Sequence, residues 1–216
     1  MSFSKLIEIA NGSGGTLYLM AILMLVELTV IIERLRHLSS MESHGASLIA
    51  LLAGNPVLRS DELASAAERH ADLPHVKLFG VALGEAAASS HEAAAGHLEE
   101  VLMHEVPMLD RKLWVLDTVI TLAPLLGLFG TIIGMFGAFS VLGDIQNGAG
   151  QVTGGIAEAL LATASGLLIA MIGLFFFNLL NTKVRVIVHQ METLKVMLLN
   201  RRADTAGRAA VGMLRA

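Results

Sequence analysis

The amino-acid sequence predicts an all-α, polytopic membrane protein with three transmembrane helices and long cytoplasmic helical extensions. Of its 216 residues, 54% are hydrophobic and 16% are charged, whereas a soluble domain carries roughly 25% charged residues. This excess of apolar residues over charged ones favours a chain that buries much of its surface in lipid. Aromatic residues make up 5% of the chain and there are four prolines, a composition that favours helices over strands.

Three apolar segments are long enough to cross a hydrocarbon core of roughly 30 Å, which takes about 20 apolar residues. The stretches between and around them are more polar. The chain is therefore predicted to comprise a short periplasmic N-terminal segment 1–14, the first transmembrane helix 15–36, a cytoplasmic helical domain 37–112, the second transmembrane helix 113–142, a short periplasmic turn 143–155, the third transmembrane helix 156–181, and a cytoplasmic C-terminal helix and tail 182–216.

The distribution of basic residues predicts the orientation, because cytoplasmic flanks carry an excess of Lys and Arg. Only Lys5 precedes the first span, and the turn between the second and third spans has no basic residue. The opposite flanks carry Arg34, Arg36, Arg111, Lys112, Lys183 and Arg185. We therefore expect a periplasmic N-terminus and a cytoplasmic C-terminus.

The predicted cytoplasmic segments are helical in pattern and opposite in charge. The pattern from about His91 into the second span predicts one long helix, bent at Pro107. Residues 38–110 hold three Lys and Arg against eleven Asp and Glu, whereas the tail from 181 holds seven against two. These charges either pair across the two segments or form solvated faces.

The second and third spans carry small residues at helical spacing. Glycines recur at 127, 130, 134 and 137, three or four residues apart, and the third span holds a matching set that includes Gly155 and Gly166. Such stripes let two helix backbones approach closely in lipid. We therefore predict tight helix packing, both within a subunit and between subunits.

Among the uncharged polar side chains of the second and third spans, the candidates for function are Thr131, Thr163 and Asn178. A threonine hydroxyl in a helix can simply bond the carbonyl four residues back, which is the alternative to a functional role for each threonine. An asparagine amide at depth needs a partner. Asn178 lies fifteen residues beyond Thr163, about 22 Å along a helix and about 60° around it, so the two could line a common face.

The carboxylates inside or near the spans are candidates for function, because a buried charge in lipid is costly. Glu158 lies at the predicted start of the third span, where a favourable helix-dipole position would explain it equally well. Glu27 lies near the middle of the first span. Asp117, near the inner end of the second, could instead pair with Arg111 or Lys112 of a neighbour.

The remaining residues exclude several functions. The chain has no cysteine, so disulfides and thiolate metal sites are excluded. The eight histidines lack the His-Glu-x-x-His spacing of a helix-borne metal site, and we expect them to be exposed residues of the cytoplasmic helices. No phosphate loop, nucleophile elbow or dinucleotide fingerprint occurs. We therefore predict no enzyme activity, no cofactor, no metal and no nucleic-acid partner.

Two runs of residues carry a family resemblance. Together they resemble the second-span and third-span signatures of the MotA/TolQ/ExbB proton channel family, most closely those of the ExbB and TolQ branch. MotA-type stators carry four spans, whereas three are predicted here. The two runs are Pro124-x-x-Gly127-Leu128-Phe129-Gly130-Thr131-x-x-Gly134-Met135 and Gly155-Ile156-Ala157-Glu158-Ala159-Leu160-Leu161-Ala162-Thr163-Ala164-x-Gly166-Leu167.

The resemblance implies a homopentamer in the bacterial inner membrane that encloses two copies of a single-span ExbD- or TolR-like partner. That partner carries the aspartate that takes and releases the proton, and a TonB- or TolA-like protein receives the force. By the same resemblance, Thr131 and Thr163 face this aspartate, Glu158 lies near the outer entrance and Asn178 near the inner exit. The residues implied for packing are Pro124, Gly127, Gly130, Gly134, Gly155 and Gly166.

Three functions remain open at this point. The first is an ExbB-like subunit that energises TonB-type outer-membrane transport. The second is a TolQ-like subunit for envelope integrity and division. The third is a membrane scaffold that conducts no ions and recruits partners through residues 37–112.

Overall fold

A computed structural model describes residues 15–54, 73–83, 91–140 and 148–213. These ranges are helical apart from short turns, and no strand occurs in them. The helices are α1 (Thr16–Gly54), α2 (Pro74–Leu83), α3 (His91–Leu109), α4 (Leu113–Ser140) and α5 (Gly148–Met213). The predicted all-α class is therefore confirmed.

Three helical stretches are long and apolar enough to cross a membrane, which confirms the number of spans predicted. They have mean hydropathies of 2.0, 2.1 and 2.3 in their most apolar windows, and each overlaps one of the predicted spans. The stretches are Thr16–Gly54, His91–Ser140 and Val152–Arg201. The predicted N-terminal segment 1–14 lies outside the described residues.

Helix α5 begins earlier than the helix predicted for the third span. Helix α5 begins at Gly148, so residues 148–155 are helical rather than part of the predicted turn 143–155, whose first residues lie outside the described ranges. Glycine disfavours a helix in water by about 1 kcal/mol. Here Gly155 packs against Ala138 of α4, since a Cβ at Gly155 would lie 2.8 Å from the Ala138 Cβ. This close contact favours the helix despite its glycines.

The predicted continuous helix from His91 into the second span is interrupted. A turn at residues 110–112 separates α3 from α4, and Lys112 adopts a left-handed conformation with φ of 73°. Pro107, where a bend was expected, lies inside α3. The Lys112 ammonium lies 2.5 Å from Glu33 Oε1 of α1, a contact that favours the turn.

The chain forms two compact units. Of the described residues, the first unit comprises 15–34, 112–140 and 148–180, and the second comprises 35–54, 73–83, 91–111 and 181–213. The core of the first unit contains Met20 from α1, Val119 and Ala123 from α4, and Ala162 and Ile169 from α5. The small core residues Ala123 of α4 and Ala162 of α5 allow the backbones of these two helices to lie close together.

The outer surface of the first unit is strongly apolar. Phe136 is 78% exposed, Trp114 69%, Leu25 66% and Phe175 65%. Soluble proteins rarely expose so many large apolar side chains together. In a membrane the same surface is covered by lipid, without the cost that water would impose.

The second unit has a core built on helical spacing. In α1 the buried leucines are Leu38, Leu48 and Leu52, and in α5 Ile187, Met191 and Leu194 recur every three or four residues. Residues at this spacing share one face of a helix. Leu98 and Leu102 of α3 and Leu78 and Phe79 of α2 are also buried, so all four helical segments of this unit contribute to its core.

Two ion pairs join the acidic and basic segments of the second unit, as one of the two charge alternatives predicted. Lys183 Nζ lies 2.7 Å from Glu42 Oε2, and Lys195 Nζ lies 2.5 Å from Glu99 Oε2. Both lysines are on α5, and both glutamates precede the second span. Partly exposed pairs of this kind contribute up to about 1 kcal/mol each, so they favour this arrangement rather than determine it.

Candidate functional site

The hydroxyl groups of Thr131 and Thr163 meet between α4 and α5. They hydrogen-bond to one another, and each also lies 3.0 Å from the carbonyl oxygen of Gly127. Thr131 donates to the carbonyl oxygen four residues back in its own helix, which was the alternative to a functional role. Thr163 instead reaches across to α4, so the pair joins the two helices rather than serving each helix separately.

The hydrogen bonds of this threonine pair cannot all form at once. Thr131 Oγ1 also lies 3.5 Å from the carbonyl oxygen of Ala159. Each hydroxyl carries a single hydrogen and two lone pairs, so two hydrogens are shared among four contacts. Rotation of the hydroxyls exchanges one bonding pattern for another. The pair can therefore donate to or accept from a third group without any change in helix packing.

Glycine lets α4 and α5 approach closely enough for the threonines to meet. A Cβ at Gly127 would lie 3.0 Å from Thr163 Cα and 3.1 Å from the Ala162 carbonyl oxygen. A Cβ at Gly166 would meet the Ala123 carbonyl oxygen and lie 3.1 Å from its carbonyl carbon. Since these neighbours are backbone atoms, neither position has room for a side chain unless the helices separate.

The other glycines of the predicted stripe are not equivalent. A Cβ at Gly130 would lie 2.9 Å from Ala162 Cβ and 2.7 Å from Thr16 Oγ1, and one at Gly134 would lie 2.9 Å from Ala159 Cβ. Gly137, in contrast, has nothing within 4 Å. Pro124 is half-buried inside α4. Of the four glycines in the stripe, those at 127, 130 and 134 therefore make close contacts and Gly137 does not.

Glu158 is half-buried in α5, and it is not at the helix start. The helix begins ten residues earlier, at Gly148, which is about 15 Å along the axis. The helix dipole acts mainly within the first turn. A favourable dipole position therefore does not explain this carboxylate, contrary to one of the two interpretations drawn from the sequence.

Asn178 lies on the exposed side of α5, near the end of the apolar run. Its distance of fifteen residues from Thr163 corresponds to about 22 Å of continuous helix. Because α5 is unbroken from Gly148 to Met213, the two residues keep the relative rotation of about 60° that regular helix geometry implies.

Glu27 is buried inside the first unit and is 1% exposed. Its Oε1 has no hydrogen-bond partner among the described residues. A Cβ at Gly173 of α5 would meet this oxygen and lie 2.8 Å from Ile120 Cγ1, so the glycine makes room for the carboxyl group. Glu27 therefore faces the interior of the bundle and is separate from the threonine pair.

Asp117 is exposed on α4. It was a candidate partner for Arg111 or Lys112 of a neighbouring subunit, but Lys112 pairs with Glu33 within the same chain. The sequence pattern did not predict the pair of Lys112 and Glu33. The position of these two oppositely charged residues at the ends of adjacent predicted spans could have indicated it.

The described residues contain no group of three or more His, Asp or Glu side chains that could hold a metal ion. The polar centre between α4 and α5 is formed by hydroxyl groups and backbone carbonyls. Such a centre can pass or accept hydrogen bonds, and it needs a titratable partner for net proton transfer, because a threonine hydroxyl does not ionise at neutral pH.

Comparison with known proteins assigns the family. The model of the MotA/TolQ/ExbB proton channel family matches residues 66–193, more than half of the chain. This range includes both threonines, Glu158, Asn178 and all the glycines of the α4–α5 contact, and it excludes Glu27. The comparison with curated proteins found no match.

The family is one of membrane channels that work as oligomeric complexes with partner proteins, and it is not an enzyme family. With three helices long and apolar enough to span a membrane, the chain is a multi-pass membrane protein. The chain belongs to the MotA/TolQ/ExbB proton channel family.

Proposed function

We propose that the chain is an ExbB-like stator subunit of a motor driven by the proton-motive force in the bacterial inner membrane. Together with an ExbD-like single-span partner, it energises TonB-type transport across the outer membrane. The observation that carries this proposal is the hydroxyl pair of Thr131 and Thr163, which bridges α4 and α5 inside an apolar bundle.

The hydroxyl pair suits one half of a proton path. A carboxyl group from a partner helix would supply the titratable group, and the threonines would hydrogen-bond it in either protonation state, since a hydroxyl both donates and accepts. Glu158 lies about 7.5 Å along α5 on one side of Thr163, and Asn178 about 22 Å on the other. These two residues would mark the outer and inner ends of the path.

The proposed complex contains five copies of this chain around two copies of the partner. The glycine contacts of α4 and α5 are used within the subunit, and the exposed aromatic and aliphatic surface of the first unit remains for contacts with neighbours and lipid. Co-expression with the single-span partner followed by native mass spectrometry should give a five-to-two complex. A dominant monomer or dimer would contradict the proposed ring.

Ion conduction is tested by reconstitution. Proteoliposomes that contain the complex should take up protons in response to a membrane potential, and those with a partner variant lacking its aspartate should not. Uptake that does not depend on the partner would contradict the proposal. No uptake from a correctly assembled complex would favour the scaffold that conducts no ions. A TolQ-like role would be favoured if the chain restores envelope integrity rather than TonB-dependent growth.

The orientation proposed is a periplasmic N-terminus and a cytoplasmic C-terminus, based on the basic residues at the span ends. Since the chain has no cysteine, single cysteines can report on topology. Ser43→Cys and Glu192→Cys, both at exposed positions of the second unit, should be shielded from an impermeant maleimide in intact cells. Asn147→Cys, in the predicted periplasmic turn and outside the described residues, should react. The reverse pattern would overturn this topology.

A further inference from the structure

A histidine without exposed surface lies in the second unit, although the sequence predicted exposed histidines. His75 is 0% exposed and directly follows Pro74, the first residue of α2. Leu78 and Phe79, three and four residues later, are 0% and 2% exposed. These three side chains share one face of α2. The helix is therefore docked through a stripe that begins with an imidazole ring.

Gly45 of α1 receives this ring. A Cβ at Gly45 would lie 2.5 Å from His75 Nε2 and 2.7 Å from His75 Cε1, and it would also meet Gln190 Oε1 of α5. No side chain at position 45 could coexist with the ring in this place. The imidazole thus sits in a notch between α1 and α5 that the absence of a single Cβ creates.

Gln190 closes the notch from the side of α5. Its Nε2 donates a hydrogen bond of 3.1 Å to the carbonyl oxygen of Glu42, and the Glu42 carboxylate accepts one of 2.7 Å from Lys183. Both ring nitrogens of His75 and the Gln190 Oε1 are buried without a hydrogen-bond partner in the described part of the chain. The notch is therefore polar but lacks a group to neutralise a charge on the ring.

Two carboxylates on the surrounding helices, Glu42 and Glu105, are engaged in ion pairs. Glu42 of α1 is paired with Lys183 of α5. On the side of α3, Glu105 lies 2.7 Å from Lys77 of α2 and 3.2 Å from His104. Burial would raise the pKa of Glu105, but Lys77 and His104 outweigh it and the net pKa is lowered below 4.5.

Burial lowers the pKa of His75 from its ordinary 6.5 to about 4, and the nearby Gln190 side chain opposes this only in part. The position in the first turn of α2 acts in the same direction as burial, because the positive end of the helix dipole disfavours a cation there. The docked state therefore holds His75 neutral at physiological pH.

We propose that His75 is a proton-operated latch that holds α2 against α1 and α5 while its ring is neutral and releases α2 when the ring takes up a proton. The proton is taken from solvent onto a ring nitrogen of the undocked helix. This role rests on the proposed function and its orientation, which place α2 in the cytoplasm. The latch would then respond to the proton concentration on the side of the membrane to which the channel delivers protons.

The direction of the pH effect follows from linkage between protonation and docking. Between pH 6.5 and 4 the undocked helix binds more protons at His75 than the docked one does. Docking is thus fully favoured above pH 6.5 and weakens as the pH falls toward 4. The docked-to-undocked ratio is expected to fall on the order of 30-fold between pH 7.5 and 5.

The experiment compares two single cysteines on α2 in the purified protein. Leu78→Cys replaces a buried side chain, and Gly80→Cys is a matched exposed site with nothing within 4 Å of its Cβ. The rate at which a methanethiosulfonate reagent modifies Leu78→Cys is divided by the rate for Gly80→Cys. This ratio cancels the intrinsic pH dependence of thiol chemistry. This ratio should rise on the order of 30-fold between pH 7.5 and 5.

Variants of the latch decide the source of this change. His75→Phe and His75→Leu cannot take up a proton and should give a low ratio at both pH values. Gly45→Ala should give a high ratio at both, because it displaces the ring. His104→Gln should keep the full response, since His104 is outside the notch.

The latch would be contradicted if the ratio did not change with pH while His75 is present. It would also be contradicted if the ratio still changed with pH in both His75→Phe and His75→Leu, or if the ratio were high at pH 7.5 in both of these variants. The measurement needs no ion gradient or partner, so its outcome is separate from that of the proton-uptake assay.

Discussion

Loss of both bridging hydroxyls, in the variant Thr131→Val with Thr163→Val, is expected to remove most proton-coupled work and leave the complex assembled. Valine nearly matches threonine in shape but cannot hydrogen-bond a carboxyl group. A positioned proton-transfer group commonly contributes a factor of about 10² or more in rate, so proton uptake should fall at least about tenfold. The hydrogen bonds lost between helices contribute only about 0.6 kcal/mol each in a membrane, so the proposed complex should persist.

The serine variant is the matched control for this prediction. Thr163→Ser keeps the hydroxyl that lies 3.0 Å from the Gly127 carbonyl oxygen and loses only a methyl group. It should retain much of the uptake. Uptake and recovery of the complex are measured on the same membranes. Full activity in the double valine variant would leave the threonines with a packing role alone.

Gly166→Ala is expected to destabilise the first unit and reduce recovery of the assembled complex. The added methyl group would meet the Ala123 carbonyl oxygen and lie 3.1 Å from its carbonyl carbon. Backbone atoms cannot rotate away as a side chain does, so α4 and α5 must separate. Overpacking of this kind costs about 1–3 kcal/mol. The midpoint of thermal unfolding in mild detergent and the yield of the intact complex both measure this loss.

Gly154→Ala, in the same helix, is the control with the opposite sign. Nothing lies within 4 Å of a Cβ at Gly154, and alanine is favoured over glycine in a helix by about 1 kcal/mol. This variant should therefore unfold at an equal or higher temperature. Equal behaviour of the two alanine variants would contradict the close contact at Gly166.

Much of the fold follows from the sequence because the features concerned are local. A run of about 20 apolar residues reveals a span whatever its neighbours are, and three such runs gave the correct number. The glycine spacing predicted a close helix contact, and Gly127, Gly130 and Gly134 do lie at one. Gly137 fits the same spacing yet faces open space, whereas the next residue, Ala138, contacts Gly155 of α5. Spacing identifies a stripe but does not say which of two neighbouring small residues meets the partner helix.

Other features depend on contacts that a single sequence does not display. The low helix propensity of the glycines at 148–155 predicted a turn. The chain is helical there, and Gly155 packs against Ala138 of α4. The break at residues 110–112 uses a lysine in a conformation more typical of glycine, so no turn residue announces it. His75 was grouped with exposed histidines, since only the convergence of α1 and α5 reveals the notch that buries it.

The glycine contact between α4 and α5 also has a mechanical consequence. A slip of one residue along the axis is about 1.5 Å, and it would move the alanine methyl groups of α5 out of the spaces above Gly130 and Gly134 and onto neighbouring backbone. Sliding between these helices is thus opposed by hard contact rather than by friction between flexible side chains. The two helices should therefore move as one rigid pair, so that a displacement of either helix along its axis is transmitted to the other.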